Sequence, residues 1–463
     1  MNKHFVQVKK GGIVVVVKKL KTLFYLILQI PIYLISVPTV IIVHLIKPWF
    51  LIRWQELESS RIGHFAINTE FYCCERDAGI NTPTQKYLDL FYMRKYVCNK
   101  QLEKMWRRSL IVLPTWLLRP LSIVNRFFCL FNSSFRECEI FSASVALALK
   151  TKKYKLHEVL RPLQNSDVHH LIDKFPAHIS FTDKEELKGE EILKKFGLTK
   201  NAKFVCLTVR DSAYLNRHIK HEYLDERYQY HSYRDGDIDN YALAAEELAK
   251  RDYYVFRMGV KVEKPIKSSN LKIIDYANSG MRSDFMDIYL SAKCNFSIST
   301  GSGLDEVSVI FRKPIAFVGN VPFITIGKSH KETLVLTKHH INKITKKELT
   351  ISEIFSANVA YALETEKYEL NDVELKENSP KEIRDLIIEM DERLNGGWKN
   401  TNEDLLLQKR FWSIFEDGMK RLNFKASKQG VSHWSDPFGA EHYEKIKVRF
   451  GAKFLRENQN WIR

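Results

Sequence analysis

The chain is 463 residues long, 45% hydrophobic and 27% charged, a balance that excludes a disordered protein and leaves room for two or three cores. Its 72 Lys and Arg against 55 Asp and Glu give a formal net charge of +17, which calls for an anionic partner: a lipid surface, a nucleic acid or a phosphate-bearing small molecule. The 7 cysteines are odd in number and irregularly spaced, so neither a disulfide framework nor a zinc site is predicted.

The run Leu23 to Ile46 contains no Lys, Arg, Asp or Glu, and Lys9, Lys10, Lys18, Lys19 and Lys21 precede it. It has the length of a bilayer span, about 20 residues. It is too long for a cleavable signal and no small-residue cleavage site follows it. Pro31 and Pro38 interrupt it, and Lys47 and Arg53 close it with positive charge; a re-entrant or interfacial anchor fits better than a straight crossing. Leu110 to Phe131 follows Trp106, Arg107 and Arg108 and contains Trp116, Arg119 and Arg126. That mixture reads as a segment at headgroup level or as a core helix hairpin. No basic-aromatic repeat or nucleic-acid module is found, so the predicted anionic surface is a membrane and not nucleic acid.

Beyond the anchor, Arg61 to Cys73 reads as a strand and loop opening a first α/β domain, and Glu185 to Phe196 as a helix stopped at Gly197. The clearest part follows a linker at Leu198 to Asn201. Lys203 to Val209 is the apolar run of a strand buried on both faces. A helix (Asp239 to Arg251), a strand (Tyr253 to Met258), a strand (Lys272 to Tyr276) and a helix (Asp284 to Lys293) come next. Then Asn295 to Val318 supplies a strand, the turn Ser299-Thr300-Gly301-Ser302-Gly303, a helix opened by Asp305 and Glu306, and a last strand from Pro314. This alternation predicts a parallel sheet with right-handed crossovers, with the Gly301 turn at the carboxyl end of its strand. Lys346 to Arg463 reads as mostly helical, with a final helix from His442 to Trp461. The predicted division is a membrane-associated segment (1–55), two domains (56–197 and 198–345) and a helical C-terminal region (346–463).

Two stretches carry candidate chemistry. A strand, a glycine turn and a helix start form an anion site in many α/β proteins, because unpaired N–H groups converge there; equally, any such protein has glycine turns. Residues 210–239 form a connection far longer than the usual two to six residues, rich in Arg210, Asp211, Tyr214, His218, His221, His231 and Tyr233. Arg210 is placed to reach a phosphate or to make a surface salt bridge. Asp235, Asp237 and Asp239 have the spacing of a metal-binding Asp-x-Asp but precede a helix, where carboxylates cap free N–H groups; capping is the preferred reading.

The ordered set RIGHFAINTE (61–70), VRDSAY (209–214), YRDGDIDNY (233–241), FRMG (256–259), SISTGSGL (297–304) and FLRENQNW (454–461) resembles a family of bacterial glycosyltransferases encoded among surface-polysaccharide genes. The resemblance runs from Arg61 to the C-terminus. It implies a GT-B arrangement, two Rossmann-like domains facing a cleft, with a nucleotide-sugar held by the second. It implies that Arg210 binds the donor diphosphate, that Thr300, Gly301, Ser302 and Gly303 cradle phosphate or ribose with Tyr214 alongside, and that Asp305 or Glu306 holds hydroxyls. It also implies transfer without a metal or other cofactor, at the cytoplasmic face of a bacterial inner membrane, to a glycan or lipid-linked acceptor. An acceptor hydroxyl needs a base within about 2.6–3.2 Å, and Asp211, Glu70 and His231 are the candidates. A non-catalytic sugar-nucleotide sensor or scaffold of a polysaccharide assembly machine is the alternative.

Overall fold

The computed structural model describes residues 3–80, 82–141, 167, 169–213, 229–328, 332–429 and 448–463, without the side chains of 3–12, 14, 18, 19, 21–29, 229–231, 327, 328 and 423–429. In chain order its elements are α1 (Lys3–Ile46), β1 (Leu51–Leu57), α2 (Ile62–Asp77), β2 (Tyr87–Met93), α3 (Lys100–Ser109), α4 (Thr115–Phe128), α5 (Asp183–Lys195), β3 (Lys203–Thr208), α6 (Ala242–Lys250), β4 (Tyr253–Arg257), β5 (Ile273–Ile274), α7 (Asp284–Lys293), β6 (Phe296–Ser299), α8 (Asp305–Ile310), β7 (Ile315–Phe317), β8 (Thr333–Val335), β9 (His339–Asn342), α9 (Ile351–Ser356), α10 (Thr365–Glu369), β10 (Val373–Lys376), α11 (Pro380–Leu394), α12 (Asn402–Gln429), β11 (Arg449–Phe450) and α13 (Ala452–Glu457). They sort into two compact units, both discontinuous in sequence. The smaller takes 1–60, 81–97 and 107–141; the larger takes 61–80, 98–106 and 142–463. The sequence-based boundaries at 56 and 198 do not coincide with these.

The larger unit holds a seven-stranded sheet in the order β11-β8-β7-β6-β3-β4-β5, parallel at every pairing. From β3 the chain builds outward through β4 and β5; from β6 it builds the other way through β7 and β8. The switch point of this doubly wound sheet therefore lies between β3 and β6, where open α/β sheets bind ligands. Alternate residues of the strands serve two cores, as the apolar run at β3 predicts. Val205, Leu207 and Val255 join one cluster, and Phe204, Cys206 and Phe256 join the other. Helix α7 occupies the predicted span and is capped by the Ser283 hydroxyl, which accepts from Met286 N at 3.2 Å.

Two expectations fail here. Residues 62–77 form a helix, not a strand and loop. The apolar positions mimic alternation because α2 is buried nearly all round, with Gly63, Phe65, Ala66, Ile67, Thr69, Glu70, Phe71, Cys73 and Cys74 all enclosed. The C-terminal region is mostly helical among the described residues, as expected, with two short strands besides: β10 pairs antiparallel with β9, and β11 adds the outermost strand to the main sheet beside β8. The predicted final helix is reduced to α13, and residues 430–447 lie outside the described residues.

In the smaller unit β1 and β2 pair in parallel, with Leu51 opposite Tyr87. These two strands are its only sheet among the described residues, so the expected first Rossmann-like domain is much reduced. Arg53, read from sequence as the flank of the anchor, lies inside β1 and holds Asp89 of β2 with Nε and Nη2 at 2.7 and 2.6 Å. Helix α1 packs on α4, and among its described side chains Ser36, Val40 and Val43 form the buried strip. Ile30, Leu34, Ile35, Ile41, Ile42 and Leu45 of α1 stay exposed, as do Trp116, Ile123 and Phe127 of α4 and the following Leu130 and Phe131. Among the described residues no helix is long and apolar enough to cross a membrane.

Candidate functional site

The site grows from the ends of β3 and β6. Thr300 N donates to Thr208 O at 3.2 Å, and Arg210 N donates to Thr300 Oγ1 at 2.9 Å. These bonds stitch the two predicted stretches together at the switch point, although 90 residues separate them. Gly236 N returns the long connection to Arg210 O at 2.9 Å. There is little room for a side chain at Gly236, since a Cβ would come within 3.3 Å of Thr300 Cγ2.

Cations gather on this stitch. Arg210 Nη1 holds Asp235 Oδ1 at 2.6 Å, and Lys338 Nζ, three residues past β8, donates to Asp235 O at 2.6 Å. Arg234 donates through Nη2 to Gly301 O, while its buried Nε has no partner. Burial pushes Arg210 and Lys338 below their ordinary pKa values, and Asp235 opposes that in both. Arg257 closes β4 at the same edge. It is 1% exposed, its Nη2 touches Asp211 Oδ2 only at 3.5 Å, and neither Nε nor Nη1 has a partner. A buried guanidinium with unused donors is costly, and burial lowers its proton affinity. Sequence reasoning gave no role to Arg234, Lys338 or Arg257. The available signal was position: each lies at or shortly after the carboxyl end of an apolar strand, or just before the helix that returns.

The turn itself departs from expectation. Most of its N–H groups are already taken: Gly301 N by Ser299 Oγ at 3.1 Å, Ser302 N by Asp305 Oδ2 at 2.8 Å, and Leu304 N by Ser302 Oγ at 3.3 Å. Asp305 also accepts from Ser299 Oγ at 2.7 Å. The chain's own Asp305 carboxylate therefore occupies part of the nest that the glycine pattern suggested for a phosphate. Gly303 serves packing: a Cβ there would stand 3.1 Å from Gly63 N of α2. Gly301 keeps its place for its backbone, φ +78°, and its Cβ position faces Arg234 Nη2 and Asn320 Oδ1 at 3.7 Å. The carboxylate of half-buried Glu306 makes no hydrogen bond or ion pair among the described residues. Burial and the Asp305 charge raise its pKa, against the pull of Arg234.

The three candidate bases are not brought together. Asp211 is engaged in its loop, accepting Ala213 N at 3.1 Å and Glu263 N at 3.0 Å. Glu70 is fully buried near the C-terminal end of α8, away from the Thr300 turn at its start, and bonds Arg312 and His178. His231 lies in the 3-10 turn Gln229–Arg234 that delivers Arg234, but its side chain is outside the described residues, as are Tyr214, His218 and His221. Asp237 caps the turn at 238–241 by accepting Asp239 N at 2.9 Å, and Lys264 neutralises both carboxylates at 2.5 and 2.6 Å. With Asp235 on Arg210, the Asp-x-Asp series is a capping and ion-pair device.

No family model matches the chain, and no curated protein matches it. Among solved structures, a glycosyl transferase family 9 protein from Veillonella parvula aligns over 62% of this chain and 85% of its own, with 13% identity and a TM-score of 0.35. The ADP-heptose lipopolysaccharide heptosyltransferase II of E. coli aligns over 62% and 90%, with 11% identity and a TM-score of 0.34. Likenesses this loose carry no assignment.

Proposed function

We propose that the chain is a glycosyltransferase that takes a sugar from a nucleoside-diphosphate donor bound at the switch point of the larger unit. The observation that carries the reading is the convergence of Arg210, Arg234 and Lys338 on the β3–β6 stitch, with Arg234 Nε left without a partner. Glycosyl transfer from such a donor develops negative charge on the departing diphosphate, and fixed cations at that point lower the barrier. Arg210 and Lys338, both parked on Asp235, would turn to the phosphate oxygens, and Arg234 would reach them beside Gly301. Glu306, whose carboxylate has no partner of its own, is assigned to the hydroxyls of ribose or sugar. Three protein cations make the metal-independent route the one to test first. His231, carried on the same turn as Arg234, is assigned as the base, ahead of Asp211 and Glu70, whose carboxylates are engaged elsewhere. The choice of glycosyl transfer over plain nucleotide binding draws on the motif resemblance.

We further infer that the smaller unit lies on an anionic membrane, at the cytoplasmic face of a bacterial inner membrane, where a polysaccharide or lipid-linked acceptor would be at hand. The support is the exposed apolar side chains of α1 and α4 among the described residues, and a net charge of +17.

A panel of nucleoside diphosphates and their sugars, screened by calorimetry, tests the donor site. Binding that Arg234→Ala weakens, and diphosphate release with acceptor that persists in EDTA, support the reading. Binding without any turnover would favour the scaffold alternative. Co-sedimentation with phosphatidylglycerol vesicles, lost in a Trp116→Asp/Phe127→Asp variant, tests the membrane face.

A further inference from the structure

At the other end of α8 lies a cluster that the donor site does not use. Glu70 and Cys74 stand one turn apart on α2, so both project to one face, and His178 reaches the same point. Glu70 Oε1 is 3.0 Å from His178 Nδ1 and 3.9 Å from Cys74 Sγ, and Sγ is 4.0 Å from Nδ1. These three atoms are the only such group of possible ligands found among the described residues. We propose that Glu70, Cys74 and His178 form a binding site for a zinc-class divalent cation.

The donor set is that of zinc: one thiolate, one imidazole and one carboxylate, with bonds of about 2.0–2.3 Å that place tetrahedral ligands roughly 3.3–3.8 Å apart. The observed separations bracket that range. Three protein ligands leave the fourth position to water. The second shell is present as well. Asp77 Oδ2 lies 3.1 Å from His178 Nε2, so a carboxylate fixes the ring and aims Nδ1 at the cluster.

An independent observation comes from Glu70. Its Oε1 is contacted by Cys74, His178 and Arg312, whereas its Oε2, equally buried, has no partner. A buried carboxylate so unevenly used has unmet capacity for a cation. Arg312 supplies a single positive charge here. Its Nε and Nη2 also hold the carbonyls of Phe175 and Pro176 at 3.0 and 2.9 Å. On metal entry Arg312 would keep those carbonyls and shift from Oε1 to the unused Oε2, or serve as an N–H donor to the Cys74 sulfur, now 3.7 Å away. The cation would staple α2 to the segment carrying His178. None of the cations assigned to the donor diphosphate lies among the ligands, so loading this site is separable from donor binding.

The experiment loads the full-length protein with cobalt(II) chloride, removes excess by gel filtration, and records absorbance. One retained cobalt, with a thiolate charge-transfer band in the near ultraviolet that Cys74→Ser abolishes, is the expected result. Zinc chloride should displace the cobalt at one equivalent and raise the melting temperature. No retained metal in the wild-type protein, or a band that survives in Cys74→Ser, overturns the site. The wild-type spectrum stands whether or not the variant folds.

Discussion

The two ends of helix α8 carry opposite kinds of unfinished business. At its start, near the switch point, the fully enclosed unused groups are donors, Arg234 Nε there and Arg257 Nε and Nη1 along the same sheet edge, while the half-buried Glu306 carboxylate is the one acceptor left over beside them. Near its end the unused group is an acceptor, Glu70 Oε2. Both places hold buried ion pairs, so charge alone does not separate them. What separates them is the sign of the hydrogen-bonding capacity left over, and that sign predicts an anion at one end and a cation at the other. The comparison also shows why the glycine turn was a misleading guide. Its N–H groups were the expected anion site, yet most of them are satisfied by the turn's own side chains, and further capacity lies on side chains around it.

Glu70→Ala should give the largest change at the acceptor end. It strands Arg312 and His178, with a stability loss of about 3–5 kcal/mol in urea unfolding, while donor affinity measured on the folded protein stays put. A matching loss of donor affinity would merge the two ends into one site. Arg234→Ala is the mirror experiment. It should lower kcat/KM for transfer about 100- to 1,000-fold and leave the urea midpoint nearly unchanged. Gly301→Val tests the backbone between them: a β-branched residue at φ +78° should cost about 1–3 kcal/mol of strain. Since a Cβ has space there, donor affinity should fall through misplacement of Arg234, and calorimetry would detect it.

The smallest effect is a control at His339, which follows Lys338 in the chain but whose ring bonds carboxylates that the donor site does not use. His339 bonds Glu348 at 2.7 Å and Glu382 at 3.2 Å. Burial opposes its protonation, but these two carboxylates outweigh it and raise its pKa to about 10. A raised folded-state value stabilises fully below the unfolded pKa of about 6.5 and is lost as pH climbs through 10. Stability should therefore decline between those limits, and His339→Gln should flatten the decline without touching donor binding.

Much of the larger unit was legible in the sequence because its signals are local. Apolar runs such as Phe204 to Leu207 and the capped helix 284–293 announce themselves within a dozen residues. The meeting of Arg210 with Thr300 followed from sheet topology, once parallel order was assumed. Helix α2 escaped because burial on all sides erases the period that marks an amphipathic helix. Lys338 and Arg257 escaped because their neighbours come from distant strands, so nothing beside them in sequence reports their burial. Asp305 is a subtler case: its distance from Ser302 is the spacing of a reciprocal cap, and the glycines drew attention away from it.

The approach of Gly63 to Gly303, where a Cβ on Gly63 would stand 2.9 Å from Gly303 Cα, has a consequence in the order of assembly. A turn near residue 300 rests on a helix made some 240 residues earlier, so the large unit closes only after most of the chain has emerged, and contacts this remote in sequence form slowly. A chain beginning at Leu198 would contain every strand of the main sheet and still lack the backing of its own turn. Such a fragment should fold as a sheet but hold the Gly301 segment loosely, which makes residues 61–80 part of the larger unit's scaffold.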